Sequence, residues 1–193
     1  MAAVGGGTGG GLGCAILDKI RETYLDRCHM TVNVFPSTKV SDCVTEAYNA
    51  VLSSHWLVEN ADLTFCIDNQ ALYDISKLSL RINSPTYGDL NHLVSTTLSS
   101  VTASMRFRGD LNSDLRKLAV NLVPFPRVHF ASAGFASFAT KDTSYIATVP
   151  ELTEQMFKAE NNLCSIDQER VIYLTASSIF RGQVSAAEVA LEM

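Results

Sequence analysis

Seven glycines crowd the nine positions from Gly5 to Gly13, and an amphipathic stretch follows them at once. Residues without a Cβ let successive backbone N–H groups turn toward one point, and the N-terminus of a following helix adds partial positive charge to the same spot. A spot of that kind binds an anion, so the segment is a candidate phosphate cradle. Thr8, inside the run, offers a hydroxyl to a phosphate or a bound metal. The alternative is a flexible tether, because glycine-rich segments also behave as random coil. The residues of this segment alone leave both readings open.

The pattern downstream of the glycines sets the fold class. From Leu12 to Arg27 the apolar residues Leu12, Ala15, Ile16, Ile20 and Tyr24 share one face, while Asp18, Arg21 and Glu22 fall elsewhere, which predicts a helix. Met30 to Phe35 alternates, is rich in β-branched residues and ends at Pro36, as a strand does. Glu46 to Val58 predicts a second helix, Leu63 to Ile67 a buried strand, and Asn69 to Leu80 a third helix. This αβαβα alternation implies an α/β fold with a mostly parallel sheet under helical cover.

Thr86 and Asp89 have capping-box spacing at the head of a long helix expected to run to about Arg106. Its stripe of Leu90, Leu93, Val94, Leu98, Val101 and Met105 is flanked by Ser, Thr and Ala with hardly any charge. Such a helix is expected to be buried on several sides, as a spine between two layers. Gly109 ends it, and Asn112 is placed to cap a further helix with Asp114 in its first turn. A strand (Val128 to Phe135), a helix, a strand (Ile172 to Phe180) and a last helix follow. Thr148 with Glu151 and Ser185 with Glu188 have capping-box spacing at the two helix starts. Composition shifts near residue 107, so three parts are expected: 1–85, a core helix over 86–106, and 107–193.

Composition excludes several functions. Fifteen Lys and Arg stand against twenty Asp and Glu, for a formal charge of −5, and no basic run invites nucleic acid. The start Met1-Ala2-Ala3-Val4 lacks the pattern of a signal peptide, and no apolar segment approaches the ~20 residues of a membrane helix, so a cytoplasmic chain with no membrane partner is expected. Cysteines at 14, 28, 43, 66 and 164 are odd in number, without a C-x-x-C pair or a His at zinc-finger spacing. Unbridged, mostly buried thiols and no metal site are the expectation.

Gly5-x-Gly7-x-x-Gly10 satisfies the dinucleotide fingerprint, but seven glycines in nine positions make that match cheap. A Rossmann unit needs a full strand before the glycines and an acidic residue at the end of the next strand, where Phe35-Pro36-Ser37 stands. The Walker pattern lacks its Gly-Lys-Ser/Thr. A nicotinamide-dependent enzyme is therefore left with the glycine match alone.

Longer segments carry a resemblance. Gly5-Gly6-Gly7-Thr8-Gly9, Lys19-Ile20-Arg21-Glu22, Phe35-Pro36-Ser37 with Lys39-Val40-Ser41-Asp42, Tyr48-Asn49-Ala50, Leu57-Val58-Glu59-Asn60 and Cys66-Ile67-Asp68-Asn69 occur in that order. They continue with Pro85-Thr86-Tyr87-Gly88-Asp89-Leu90-Asn91-His92-Leu93, Asp114-Leu115-Arg116-Lys117-Leu118 and Val123-Pro124-Phe125-Pro126-Arg127. In these the chain resembles the tubulin family, and specifically its β-type. The resemblance implies part of a Rossmann-like, tubulin-type GTPase domain, a core helix, and part of an α+β intermediate domain. It also implies a GTP-binding protein of the microtubule cytoskeleton in the cytoplasm, with GTP or GDP as ligand and an α-tubulin-like subunit and the microtubule lattice as partners.

By the same resemblance Gly6, Gly7, Thr8 and Gly9 hold the nucleotide's phosphates. Asp42 and Glu46 lie on the ribose side, Asn69 and Asn91 meet the guanine edge, and Tyr87 stacks on the base. Each has a plainer reading: Asn69 as a helix cap, Tyr87 as core, Asp42 as a turn residue. The resemblance also implies that hydrolysis is completed across a subunit contact: Lys117 lies in the segment that covers a neighbouring subunit's nucleotide, where an α-type subunit places a water-orienting glutamate. This chain is therefore not expected to activate water there, no catalytic residue is assigned, and turnover of its own GTP requires an α-type partner. Nothing here corresponds to the family's N-terminal third, with its first strands and Mg2+-side contacts, or to its C-terminal helices and acidic tail. An open sheet edge and an uncovered apolar face are expected in consequence. Gly10, where the family has serine, is expected to loosen the loop. The alternative function is a truncated, divergent copy that neither binds nucleotide nor polymerises.

Overall fold

The computed structural model describes residues 1–37, 43–107, 114–136, 147–166, 170–182 and 184–193. Four strands, β1 (Ala2–Ala3), β2 (Met30–Phe35), β3 (Leu63–Asp68) and β4 (Phe130–Ser132), lie side by side in the order β1-β2-β3-β4. All three pairings are parallel. Parallel neighbours need crossovers, and helices supply them. A continuous helical segment, a wide π turn over Thr8–Leu12 followed by α1 (Gly13–Thr23), joins β1 to β2, and α2 (Glu46–Asn60) joins β2 to β3. Between β3 and β4 come α3 (Asn69–Leu78), α4 (Tyr87–Val101), the short α5 (Ala103–Arg106) and α6 (Leu115–Leu122).

Alternation along the strands decides where the core lies. Register pairs Met30 with Leu63, Val32 with Phe65 and Val34 with Ile67, so six apolar side chains share one face. They form one cluster with Leu72 and Ile75 of α3 and Leu90, Leu93 and Val94 of α4. Burying each such side chain is worth about 1.5–3 kcal/mol. The opposite face is polar and internally bonded: Thr31 Oγ1 and Thr64 Oγ1 are 2.9 Å apart, and Asn33 Nδ2 donates to Thr31 Oγ1 at 3.1 Å. Arg21 clamps both oxygens of Asp62 at 2.9 and 3.1 Å, and the same carboxylate accepts from His29 N at 2.7 Å, which ties the end of α1 to the α2–β3 turn. Ring nitrogens of His129 lie 2.9 Å from Pro126 O and 3.2 Å from Leu57 O, which seats the entry to β4 on the last turns of α2.

Several elements differ from expectation. The apolar stripe of α1 does not enter the core: Leu12, Ile16 and Ile20 are 58, 50 and 42% exposed, and the buried residue of α1 is Cys14. Beside them Leu52 and Trp56 of α2 are also exposed. Helix α4 is buried on one face, at Leu90, Leu93, Val94 and Thr97, while Asn91, His92, Ser95 and Ser99 face outward. It is thus a surface helix whose uncharged outer residues mislead, and not a spine enclosed on several sides. It stops at Val101, where Thr102 leaves helical geometry and its hydroxyl donates back to Leu98 O at 2.7 Å.

The segment 172–180 forms no strand. It has no neighbouring strand to pair with among the described residues, and Thr175 Oγ1 instead donates to Leu122 O at 2.6 Å. Strand β4 covers only the centre of the expected Val128 to Phe135. The Thr148 capping box closes, with Thr148 N donating to Glu151 Oε2 at 3.0 Å at the head of α7 (Val149–Met156). Ser185 occupies the N-cap of α8 (Ala186–Glu192), but its hydroxyl makes no capping bond. Gly109 and Asn112 lie outside the described residues, and α6 has Asp114 at its N-cap.

Candidate functional site

The glycine run is a bonded turn and not a tether. Beyond β1, Val4 N donates to Val34 O at 3.1 Å, Gly6 N to Ala3 O at 3.4 Å, and Gly10 N to Gly6 O at 2.8 Å. Two carbonyls of the turn are engaged, Gly5 O accepting from Asn49 Nδ2 at 3.1 Å and Gly6 O from Gly10 N, and Ser53 Oγ lies 3.3 Å from Val4 O. The N–H groups of Gly7, Thr8 and Gly9 meet no acceptor among the described residues. A helix N-terminus leaves its first N–H groups unpaired, and here they follow one another on exposed or half-exposed backbone.

The glycines themselves are of two kinds. A Cβ at Gly9 would stand 2.1 Å from Ala3 O, and one at Gly10 would stand 2.8 Å from Ser53 Oγ and 2.9 Å from Val4 O. Close approach of the chain to itself requires glycine at both. Gly10 is therefore tightly packed in this arrangement. At Gly7 a Cβ would meet nothing within 4 Å, and its φ and ψ of −61° and −42° suit any residue. Space is thus open beside Gly7 and closed beside Gly9 and Gly10.

Three parallel strands place their carboxyl ends along one edge, where ligands of open α/β sheets bind. The glycine turn leaves β1 there, Pro36 and Ser37 leave β2, and Asn69 follows β3 directly. Glu46, half-buried at the first position of α2, packs with its Cβ 3.4 Å from the point a Gly5 Cβ would occupy. Asn69 is not the cap of α3. Asp68 takes that role, accepting from Gln70 N at 2.9 Å, and leaves the Asn69 amide without a bond among the described residues. Tyr87 is 66% exposed and so is not core, and Asn91, one turn further along α4, is exposed on the same side. The structure thus gathers the turn, Glu46 and Asn69 at one edge, and no hydrogen bond among the described residues links Tyr87 or Asn91 to that turn. Asp42 lies outside the described residues. Lys117 is exposed on α6.

Sequence reasoning missed Asn49 and Ser53, the two side chains that hold the carbonyls. Their signal was available: Glu46, Asn49 and Ser53 are polar residues at i, i+3 and i+7 on a largely apolar helix, hence on one face.

No group of three or more His, Cys, Asp or Glu side chains converges among the described residues. Nucleotide-bound Mg2+ takes its ligands mainly from phosphates and water, with one or two carboxylates. All five cysteines are unbridged. They are less buried than expected, since only Cys14 is fully enclosed and Cys43 is exposed. Burial pushes the Cys66 thiol up to about 12, while hydrogen bonds from the Thr45 side chain and backbone lower that of Cys43. A cavity of about 730 Å3 opens away from these residues, among Leu118, Leu122, Phe130 and Tyr173, and none of the candidate nucleotide contacts lines it.

Residues 1–77 match the family model of the Tubulin/FtsZ GTPase domain, and residues 126–193 match that of the tubulin C-terminal domain. The chain belongs to the tubulin family. This tubulin-family chain is 56% identical over 193 residues to a protein named "Tubulin beta chain" from Schizophyllum commune, an alignment covering 99% of the chain and 43% of the relative. It is 58% identical over 189 residues to the "Tubulin beta-6 chain" of Gallus gallus, covering 97% and 42%. To the "Tubulin beta-6 chain" of Gossypium hirsutum it is 55% identical over 193 residues, covering 99% and 43%. The chain therefore spans less than half the length of these relatives. In this chain the glycine turn, Asp42, Glu46 and Asn69 fall inside the matched GTPase segment, and Tyr87 and Asn91 fall between the two matched segments. No helix among the described residues is long and apolar enough to cross a membrane.

Proposed function

We propose that this chain binds GTP or GDP at the glycine turn as a β-tubulin-like cytoskeletal subunit of the cytoplasm. The observation that carries the reading is the run of N–H donors at Gly7, Thr8 and Gly9 that meet no acceptor among the described residues, at the end of a parallel strand, with the carbonyls of Gly5 and Gly6 drawn off by other groups. Carbonyl oxygens would repel a phosphate, and amide hydrogens without an acceptor attract it. Gly6 delivers the chain to that point. Glu46 and Asp42 accept from the ribose hydroxyls, Asn69 and Asn91 donate to and accept from the guanine edge, and Tyr87 stacks on the base. Mg2+ rides on the phosphates. Turnover of the bound GTP is completed across a subunit contact by an α-tubulin-like partner, Lys117 offers no carboxylate to orient water on a neighbour's nucleotide, and the paired subunits enter the microtubule lattice. The parts 1–85, 86–106 and 107–193 are the corresponding divisions of the chain.

A second reading, a divergent copy that neither binds nucleotide nor polymerises, draws on the exposed stripe of Leu12, Ile16, Ile20, Leu52 and Trp56. Calorimetric titration of the folded chain with GTP and with GDP, each with Mg2+, separates the two. Saturable binding is expected. Absence of heat at saturating nucleotide, from protein whose circular dichroism shows it folded, overturns the first reading in favour of the second. NAD in a parallel titration is expected to give no signal.

A further inference from the structure

We propose that Asn49 is a positioning residue for the nucleotide's phosphates, acting through the glycine turn without touching the ligand; the inference rests on the nucleotide-binding reading above. A trans peptide points its C=O and the next N–H in opposite directions. Holding a carbonyl therefore aims the N–H that follows it. The Asn49 amide takes Gly5 O at 3.1 Å toward α2, and the Gly6 N–H on the far side of that peptide is delivered to Ala3 O at 3.4 Å. The next carbonyl, Gly6 O, is then placed to accept Gly10 N at 2.8 Å, which starts the helix, and the N–H groups between them, of Gly7, Thr8 and Gly9, meet no acceptor among the described residues. Without the Asn49 amide, Gly5 O is free to swing toward the ligand side, where it would stand against a phosphate.

Ser53 assists but contributes less. Its hydroxyl has a single proton and two acceptors, Asn49 O at 2.6 Å and Val4 O at 3.3 Å, so the shorter contact dominates. Its other role is steric, since Ser53 Oγ fills the space beside Gly10. A graded effect follows, with Asn49 first and Ser53 second.

The test compares GTP, GDP and guanosine on the full chain. Asn49→Ala removes one hydrogen bond from the turn and is expected to weaken GTP and GDP by about three- to ten-fold, leaving guanosine within two-fold. Ser53→Ala is expected to weaken GTP by less than Asn49→Ala. Asn49→Asp keeps the size of the side chain, removes its donor and adds a negative charge behind the turn. It is expected to weaken GTP more than alanine does, and it carries the test if alanine costs the fold. Ser54→Ala, whose hydroxyl serves only Ala50 O at 2.7 Å on the same helix, is the control expected to change none of the three. Equal losses for guanosine and GTP, or no loss in either Asn49 variant, overturn the positioning role while the nucleotide reading stands. A parent chain that binds neither GTP nor GDP overturns both.

Discussion

The sheet's apolar face and the outer flank of α1 and α2 carry the same kind of sequence pattern, and only one of them is covered. Leu72, Ile75, Leu90, Leu93 and Val94 recur at helical spacing and close over Leu63, Phe65 and Ile67. Leu12, Ile16 and Ile20 recur at the same spacing, and Leu52 and Trp56 do so on the neighbouring helix, yet all five are exposed. Periodicity tells which residues share a face. It does not tell whether anything lies opposite, since that depends on which other elements are present to pack there.

The widest gap between the two regions should appear on truncating side chains. Leu90, 2% exposed, is expected to cost about 2–5 kcal/mol as Leu90→Ala, whereas Ile16→Ala should change stability by no more than about 0.5 kcal/mol. Urea denaturation of both variants measures the difference, and equal losses would show that the α1 flank is covered in solution. Within the glycine turn a smaller contrast is expected. Gly9→Ala drives a methyl into Ala3 O and should destabilise by about 1–3 kcal/mol, while Gly7→Ala, in open space with helical backbone, should stabilise by about 0.4–1 kcal/mol and weaken GTP binding.

The smallest effect belongs to the head of α4, where the covered region meets solvent. Thr86 N and Oγ1 both donate to Asp89 Oδ2, at 2.8 and 2.7 Å, and Thr86→Ala is expected to cost about 1 kcal/mol. These donors, the backbone one first, hold the Asp89 carboxyl below its ordinary value of 3.8. A depressed carboxylate stabilises the fold above the unfolded value, and the contribution disappears as pH falls through the folded one. The Thr86→Ala penalty should therefore shrink in acid below about pH 4, and a penalty constant from pH 7 to pH 3 would disprove the linkage.

Much of the fold was legible because local rules and tertiary context agreed. Met30–Phe35 alternates and ends at a proline, and the strand has those bounds; the Thr86 and Thr148 boxes close as their spacing implies. The segment 172–180 shows the opposite case. Its residues suit a strand, but a ladder needs a neighbour, and its backbone finds none among the described residues. The site divides the same way. Glycine chemistry marked a candidate cradle, while the roles of Glu46 and Asn69 beside it came from the family resemblance and not from a local pattern. The shared polar face of Asn49 and Ser53 was readable, but the carbonyls it meets lie more than forty positions away, and no local pattern states which ones.

The cradle hangs from the shortest member of the sheet. Strand β1 contributes two residues at an outer border, secured beyond them by one bond from Val4 to Val34 and by the side chains of α2. Segments so lightly tethered open at low free energy, so the amides of residues 2–9 should exchange with deuterium well before those of Leu63–Asp68. A nucleotide seated on the turn as proposed is therefore expected to slow exchange along β1, and loss of the β1 pairing to weaken its hold.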